Sequence, residues 1–351
     1  MAFSKSLGFK AALLGSCFFL LTFSFFSCEA SVLNNKSDIL TFQAMDTFMS
    51  IKSYGKNARK SNLLAKNEIE KLEKIISVTN PQSEVYKINN SDALSIPVSE
   101  ETASIIDFSL KTAVLTDGAF NPFLYPITKA WGFTTKEYKV PPATTIASLL
   151  PLTDYKAAKL SDGSLKLKAG MQLDFGGIGK GWAGDKALKA LRESGIKSAI
   201  LDLGGNIQLL GAKPDGSDWN IGLRNPFENE TSPVISLKLS DCAVITSGGY
   251  ERFFTGDDGK KYIHIFDSKT GLPVNNKLVS VTIIAKGGKT GDALSTALFV
   301  MGKEAAVDFW KKSDYFEMII ICEDKSILYT KSLSDKLSLL CDFSKVEIAE
   351  K

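Results

Sequence analysis

The run Asp174-Phe-Gly-Gly-Ile-Gly-Lys-Gly-Trp-Ala-Gly-Asp185 places five glycines between two carboxylates, just ahead of a helical pattern. Glycines adopt backbone conformations closed to other residues and let bare N–H and C=O groups approach a neighbour closely. At the start of a helix those N–H groups lack internal partners, so such a loop is suited to a phosphorylated ligand. Far downstream, Asp292-Ala-Leu-Ser-Thr296 sets a carboxylate and a hydroxyl four residues apart. On a helix that spacing stacks both side chains on one face, where their oxygens can reach one cation. A phosphate cradle with hard-metal ligands points to metal-assisted chemistry on a phosphoanhydride. Each feature also has a plainer reading: Asp292 as a helix cap, Thr296 bonded to its own backbone, Lys180 as a solvated loop lysine. A nicotinamide fingerprint is excluded, because Phe175 breaks the Gly-x-Gly-x-x-Gly opening and no long βαβ series follows.

At 351 residues the chain can bury a large core, as one big domain or two. Leu64, Ile69, Leu72 and Ile76 predict an amphipathic helix over about 61–77, closed by Asn80-Pro81. A second helix is predicted over 101–115, stopping at Asp117-Gly118, and a third over 182–193, ending at Gly195. Residues 134–145, with Pro141-Pro142, suggest a surface loop. Strands are predicted over 199–203, 219–223, 234–239, 243–246, 262–266 and 279–285, helices over 293–300 and 303–311, and a hairpin from 316–322 and 326–330. Helices and strands mix without strict alternation, which makes the class α+β.

The N-terminus reads as a secretion signal: Lys5 and Lys10 precede an uncharged, largely apolar run from Ala11 to Ser27. A small residue before Cys28 resembles a lipoprotein cleavage site, with Cys17 as a competing site and an uncleaved membrane anchor as the alternative. The expected organisation is a signal peptide at 1–27, a tether at 28–38 and a catalytic body at 39–351, lipid-anchored through Cys28 in a bacterial periplasm. Removing Lys5 and Lys10 lowers the net charge from +3 to +1 (40 basic against 39 acidic residues). With no basic tract, nothing favours a nucleic-acid partner. Cys242, Cys322 and Cys341 form no Cys/His cluster, so a zinc site is not expected. The single histidine, His264, excludes mechanisms that need two. In a strand, a lone histidine more often satisfies the core than it catalyses.

The glycine run stands in order with Thr116-Asp-Gly-Ala-Phe-Asn-Pro122, Leu201-Asp-Leu-Gly-Gly-Asn206, Ile245-Thr-Ser-Gly-Gly-Tyr-Glu-Arg-Phe-Phe254, Tyr262-Ile-His-Ile-Phe-Asp-Ser-Lys-Thr-Gly271 and Asp292-Ala-Leu-Ser-Thr296. This set resembles the ApbE family, the FAD:protein FMN transferases, from about Met45 to Gly302. The resemblance implies an ApbE-type, T-fold-related, two-lobed α+β fold with a flavin cleft. It implies Mg²⁺ on Asp292, Thr296 and the Gly177 carbonyl, with FAD as substrate. Flavin contacts carry over to Met45, Gly118, Ala119, Phe120, Asp174, Lys180 and Phe266, with His264 beside the cleft and His264 or Asp292 taking the hydroxyl proton. Phe266, two residues beyond His264, is expected on the same sheet face. Three departures stand out: Asp46 where the family commonly has Gly, Asn121 where it usually has Asp, and no aromatic over 78–84, which leaves Asn80 where an aromatic often covers the flavin. The implied reaction moves FMN from FAD to a Thr or Ser hydroxyl of an exported flavoprotein carrying an Asp-x-x-Ser/Thr-Gly-Ala-Ser/Thr-like motif, releasing AMP. Hydrolysis of FAD to FMN and AMP, or FAD binding without catalysis, are the alternative functions.

Overall fold

A computed structural model describes residues 36–227 and 232–351. The signal segment at 1–27, Cys28 and the tether through residue 35 lie outside the described residues. A nine-stranded sheet runs through the molecule in the order Ser37–Ala44, Thr47–Tyr54, Ser198–Asp202, Asn206–Leu210, Ala243–Gly248, Leu278–Ala285, Phe316–Cys322, Ser326–Thr330 and Lys345–Ala349. Its neighbours pair antiparallel except the last two strands, which run parallel. The class is α+β, as expected.

Strand periodicity builds the layers. Along Leu278–Ala285, Val281 and Ile283 pack with Leu294 and Leu298 of the Gly288–Met301 helix. Val279 and Ile284 face the opposite side, toward Trp219, Ile221 and Leu237. Those residues belong to a three-stranded sheet of Leu337–Leu339, Pro233–Leu239 and Trp219–Arg224. Covered on both faces, the strand buries nearly every side chain, Ser280 and Thr282 included. Each buried Leu, Ile or Val stabilises the fold by about 1.5–3 kcal/mol relative to exposure. Toward the first strands, the Ala58–Ile76 and Gly179–Glu193 helices form the cover, with Ile69, Leu72, Ala187 and Leu191 in one core with Ile51 and Leu201. A separate, smaller core of Ile127, Trp131, Phe133, Ile146 and Phe266 supports the side of the molecule that carries His264.

Several boundaries differ from expectation for identifiable reasons. Ser37 and Asp38, left in the tether by sequence, pair with Tyr54 and Ser53 in the first hairpin. Its two-residue turn, Met45-Asp46, has both residues at positive φ, 48° and 59°. Such primed turns usually announce themselves by Asn-Gly or Asp-Gly, so the hairpin carried no turn signal. Pro142 serves as N-cap of a helix at Ala143–Leu149, ending the expected 134–145 loop early. The expected strand over 262–266 is broken: Lys261–Ile263 pairs with Phe253–Thr255, whereas Phe266–Asp267 pairs with Leu272–Pro273. His264 lies in the break, so the shared sheet face expected for His264 and Phe266 does not exist. Gly195 does end its helix: at φ 82° its N–H meets Arg192 O, while Ile196 N–H meets Leu191 O. The paired bonds satisfy two orphan carbonyls, and the following Ile196 buries beside Leu191.

Two helices begin earlier than their apolar periodicity suggests, at Gly179 and at Gly288. Their first turns cross almost in contact. A Cβ on Gly181 would lie 2.3 Å from the Gly288 carbonyl oxygen, and one on Gly288 would lie 2.5 Å from the Gly181 oxygen. Glycine is therefore a packing requirement at both positions. Because the obstacle at Gly181 is backbone, Gly181→Ala should destabilise the protein by about 1–3 kcal/mol through overpacking. Urea denaturation measures this, and an unchanged midpoint would contradict the close crossing.

Candidate active site

The crossing of these two helices organises the site. Asp292, in the second turn of Gly288–Met301, accepts the Gly181 N–H on Oδ2 at 2.7 Å. Asp185, on Gly179–Glu193, returns the bond: its Oδ1 accepts Gly288 N–H at 2.6 Å and its Oδ2 accepts Lys289 N–H at 3.0 Å. Each helix thus caps the other's N-terminus with a carboxylate, placing negative charge at the positive end of the dipole. This corrects one plainer reading of Asp292, which does not cap its own helix; the N-cap there is Gly287. Gln208 closes the junction from below, its Nε2 donating to Gly181 O at 3.1 Å.

Asp292 is 6 % exposed, and burial pushes its carboxyl above the usual range, opposed by the charge of Lys180 and the Gly181 N–H. Among the described residues its Oδ1 makes no hydrogen bond. Thr296 follows one turn later on the same face. Its Oγ1 lies 3.6 Å from where a Cβ of Gly177 would stand, and the Phe120 ring is 3.4 Å from that same point. The sequence-predicted ligands Gly177, Asp292 and Thr296 therefore border one place, with Phe120 as its floor. Among the described residues no group of three or more His, Cys, Asp or Glu side chains could hold a metal. An ion here would depend on a single carboxylate with hydroxyl and carbonyl oxygens, a donor set that suits Mg²⁺ and is poor for zinc.

Lys180 donates to Gly204 O at 3.5 Å, and its charge acts on both Asp292 and His264. Gly204 in turn touches the Met45 hairpin: a Cβ there would meet Thr47 Oγ1 at 2.4 Å. Met45 is held at positive φ with its N–H on Glu73 Oε1 at 2.7 Å. A left-handed conformation costs a non-glycine residue roughly 1 kcal/mol, and such residues cluster at ligand sites. Asp174 accepts Gly176 N–H at 2.8 Å, and burial raises its carboxyl above the usual range while Arg252 opposes. Gly118 is tied to the His264 side by Ser268 Oγ, which donates to its carbonyl at 2.7 Å. Ala119 is half-buried against the main core.

His264 makes two bonds to a single carbonyl: its backbone N–H and its Nδ1 both meet Arg252 O, at 3.1 and 3.0 Å. A carbonyl only accepts, so Nδ1 carries the proton and Nε2 keeps its lone pair. Burial pushes the imidazole down to about 4, reinforced by the Arg252 and Lys180 charges. His264 is thus neutral at physiological pH, with an available base.

Two residues expected at the flavin have protein partners of their own. Phe266 is 3 % exposed and packs against the Trp131 and Phe133 rings. Asn80 accepts Gln82 N–H at 3.0 Å, using its side chain to hold the turn after the Ala58–Ile76 helix. Asp185, Gln208 and Ser295 escaped sequence reasoning, because each acts on an element distant in the chain and no local spacing marks it, and Ser247 was placed near the site by resemblance without a role.

Crossed, glycine-started helices on a mostly antiparallel sheet, with an Asp–Thr pair on one helix and a glycine loop against it, define the α+β architecture of this protein. The model described as the ApbE family matches residues 45–320, and the chain belongs to this family. It is 31% identical over 289 residues, 78% of this chain and 80% of the relative, to the FAD:protein FMN transferase of Treponema pallidum (strain Nichols). A protein of the same name from Klebsiella pneumoniae (strain 342) is 31% identical over 264 residues, 74% of this chain and 81% of the relative. Among solved structures, the ApbE protein of Thermotoga maritima matches with a TM-score of 0.79 and 33% identity, over 85% of this chain and 98% of that one. The flavin transferase ApbE of Vibrio cholerae matches with a TM-score of 0.78 and 25% identity, over 86% and 99%.

Because Asp185 caps the helix that carries Asp292 and Thr296, Asp185→Ala should lower unfolding stability by about 1–2 kcal/mol. Asp185→Asn, which keeps one acceptor oxygen, should cost less. Equal losses in the two variants, read by urea denaturation, would mean that the cap contributes nothing.

Proposed function

We propose that this chain is a Mg²⁺-dependent FAD:protein FMN transferase, moving FMN from FAD to a Thr or Ser hydroxyl of an exported flavoprotein with release of AMP. The observation that carries this reading is the convergence of Asp292, Thr296 and Gly177 on one place, with Lys180 acting on Asp292 and His264 together. Names of relatives support the activity class. Mg²⁺ held by Asp292, Thr296 and the Gly177 carbonyl would neutralise charge on the phosphoryl oxygens of the substrate.

The protein's own groups supply the rest. The Lys180 ammonium favours the pyrophosphate electrostatically, whereas the Gly179 and Gly181 amides are already bonded to Phe175 O and Asp292 Oδ2. Neutral His264, its Nδ1–H fixed on Arg252 O, presents Nε2 to take the proton of the attacking hydroxyl. Asp292 is the poorer base, since one oxygen already accepts Gly181 N–H and the other faces the proposed cation position. The acceptor oxygen bonds to the FMN phosphorus, the anhydride P–O bond breaks, the pair of electrons leaves on AMP, and the proton passes to His264. Water in place of the acceptor hydroxyl gives free FMN and AMP. The N-terminal run and Cys28 complete the proposal as a lipid anchor that holds the enzyme outside the cytoplasmic membrane. Among the described residues no helix is long and apolar enough to cross a membrane.

The deciding experiment incubates protein lacking residues 1–28 with FAD, with and without Mg²⁺ and a candidate acceptor domain, and resolves AMP, FMN and protein-bound flavin. Mg²⁺-dependent AMP release with flavin on the acceptor is expected, lost in Asp292→Ala and reduced about 10²–10⁴-fold in His264→Ala. AMP and free FMN without acceptor would identify a hydrolase, and uncleaved FAD in every tube would identify a carrier.

The pH dependence follows from the same histidine. Its folded value is depressed from 6.5 to about 4, so the base stays unprotonated down to that region. The acid limb of kcat/KM should therefore fall at about 4, below the ordinary imidazole value. The same shift makes the folded state lose stability as pH falls from about 6.5 toward 4, where the unfolded chain takes up a proton first. An acid limb at 6.5 would remove His264 from the role of base.

A further inference from the structure

A line of hydroxyls runs from the proposed cation position into the sheet. Thr296 Oγ1 lies 3.3 Å from Ser247 Oγ, Ser247 Oγ lies 2.8 Å from Ser295 Oγ, and Ser295 Oγ donates to the Asp292 carbonyl at 2.9 Å. Ser247 reaches in from the Ala243–Gly248 strand, beneath the helix that carries the other three residues. Each hydroxyl has one proton to give, and the carbonyl at the end only accepts. One arrangement of protons satisfies all three contacts. Ser295 gives its proton to Asp292 O, so the proton between the serines belongs to Ser247, and the proton between Ser247 and Thr296 belongs to Thr296. The hydroxyl of Thr296 is thereby turned away from the site, leaving its lone pairs free there.

We infer that Ser247 is a positioning residue that holds Thr296 Oγ1 as an electron-pair donor toward a divalent cation. This rests on the metal assignment made under the proposed function and deepens it. Without Ser247, the Thr296 proton is free to turn toward the site or to the Thr296 helix's own backbone, and in both cases ligand quality falls. Groups that orient ligands in this way typically change metal affinity by about 10–100-fold when removed. Ser295 acts through the same chain: lacking its acceptor, Ser247 turns its own proton toward Thr296 and engages the lone pair meant for the cation. The two serines therefore act as a unit. Ser295 is fully buried and Ser247 half-buried, so water competes poorly with either bond.

The test titrates Mg²⁺ into the protein alone and into the protein mixed with FAD, reading melting temperature and heat of binding for wild type, Ser247→Ala, Ser295→Ala and the double variant. Wild type should gain melting temperature with Mg²⁺. Ser247→Ala should bind Mg²⁺ about tenfold or more weakly. Ser295→Ala should weaken it in the same direction, and the double variant should be little worse than Ser247→Ala, as coupled residues are not additive. Mg²⁺ affinity in Ser247→Ala and Ser295→Ala equal to that of wild type would overturn the inference while leaving the metal assignment standing. A wild type that shows neither a shift nor heat with Mg²⁺, with FAD and without, would overturn the metal assignment and the inference together. If Ser247→Ala does not fold, Ser295→Ala alone decides.

Discussion

The mutual capping of two helix N-termini is the interaction on which the rest of the site depends. A helix start has unpartnered N–H groups, and two such starts brought together without caps would set positive dipole ends against each other. Here Asp185 and Asp292 each cross to the opposite helix, and the contact is close enough that only glycine fits at Gly181 and Gly288. The glycines lower helix propensity by about 1 kcal/mol each. The carboxylate bonds offset that cost, and both helices start well before their apolar pattern does. One consequence is that Asp292 has a fixed side chain: with Oδ2 on Gly181 N–H, Oδ1 is directed without any metal present. The same bond fixes Lys180 relative to Asp292, because it adjoins Gly181 in the chain.

Charge is distributed over this frame so that neighbouring titratable groups do different work. Burial raises Asp292 and lowers His264, disfavouring the charged form of both. The imidazole is kept a neutral base by burial and by the neighbouring Arg252 and Lys180 charges. Lys180 acts on both, opposing the rise at Asp292 and deepening the fall at His264. The one ammonium therefore favours the ionised form of the acid and the unprotonated form of the base.

Much of this was legible in the sequence, and the illegible part has a common cause. The Asp292–Thr296 pair and the glycine loop were readable because their geometry is local: one helix face and one turn. The hairpin of 316–322 and 326–330 was readable for the same reason, from two apolar runs around Glu323-Asp324-Lys325. Asp185, Gln208 and the role of Ser247 were not, because their partners lie on segments far away in the chain. Phe266 was misplaced because strand periodicity was continued through His264, where the chain leaves one pairing for another. The first hairpin was hidden by Met45-Asp46, a turn whose left-handed conformation its residue types do not favour.

The departures from the family pattern fall into two kinds once their contacts are known. Asn121 donates through Nδ2 to Thr153 O at 2.9 Å and accepts Phe123 N–H on Oδ1 at 2.9 Å. An aspartate could make only the second bond, so in this chain the carboxamide joins the Gly118–Phe120 segment to the 153 turn. Asp46 is different. At φ 59° it occupies a conformation that glycine adopts without cost, and it sits beside Met45 at the end of the hairpin anchored by Glu73. Asp is among the residues best able to tolerate that region, yet it places a carboxylate on the loop that borders Gly204 and Lys180. Asn121 thus acts on packing, whereas the Asp46 carboxylate stands exposed on a tight turn. The difference lies in the partners: Asn121 has both ends of its side chain committed, and Asp46 makes no side-chain hydrogen bond among the described residues.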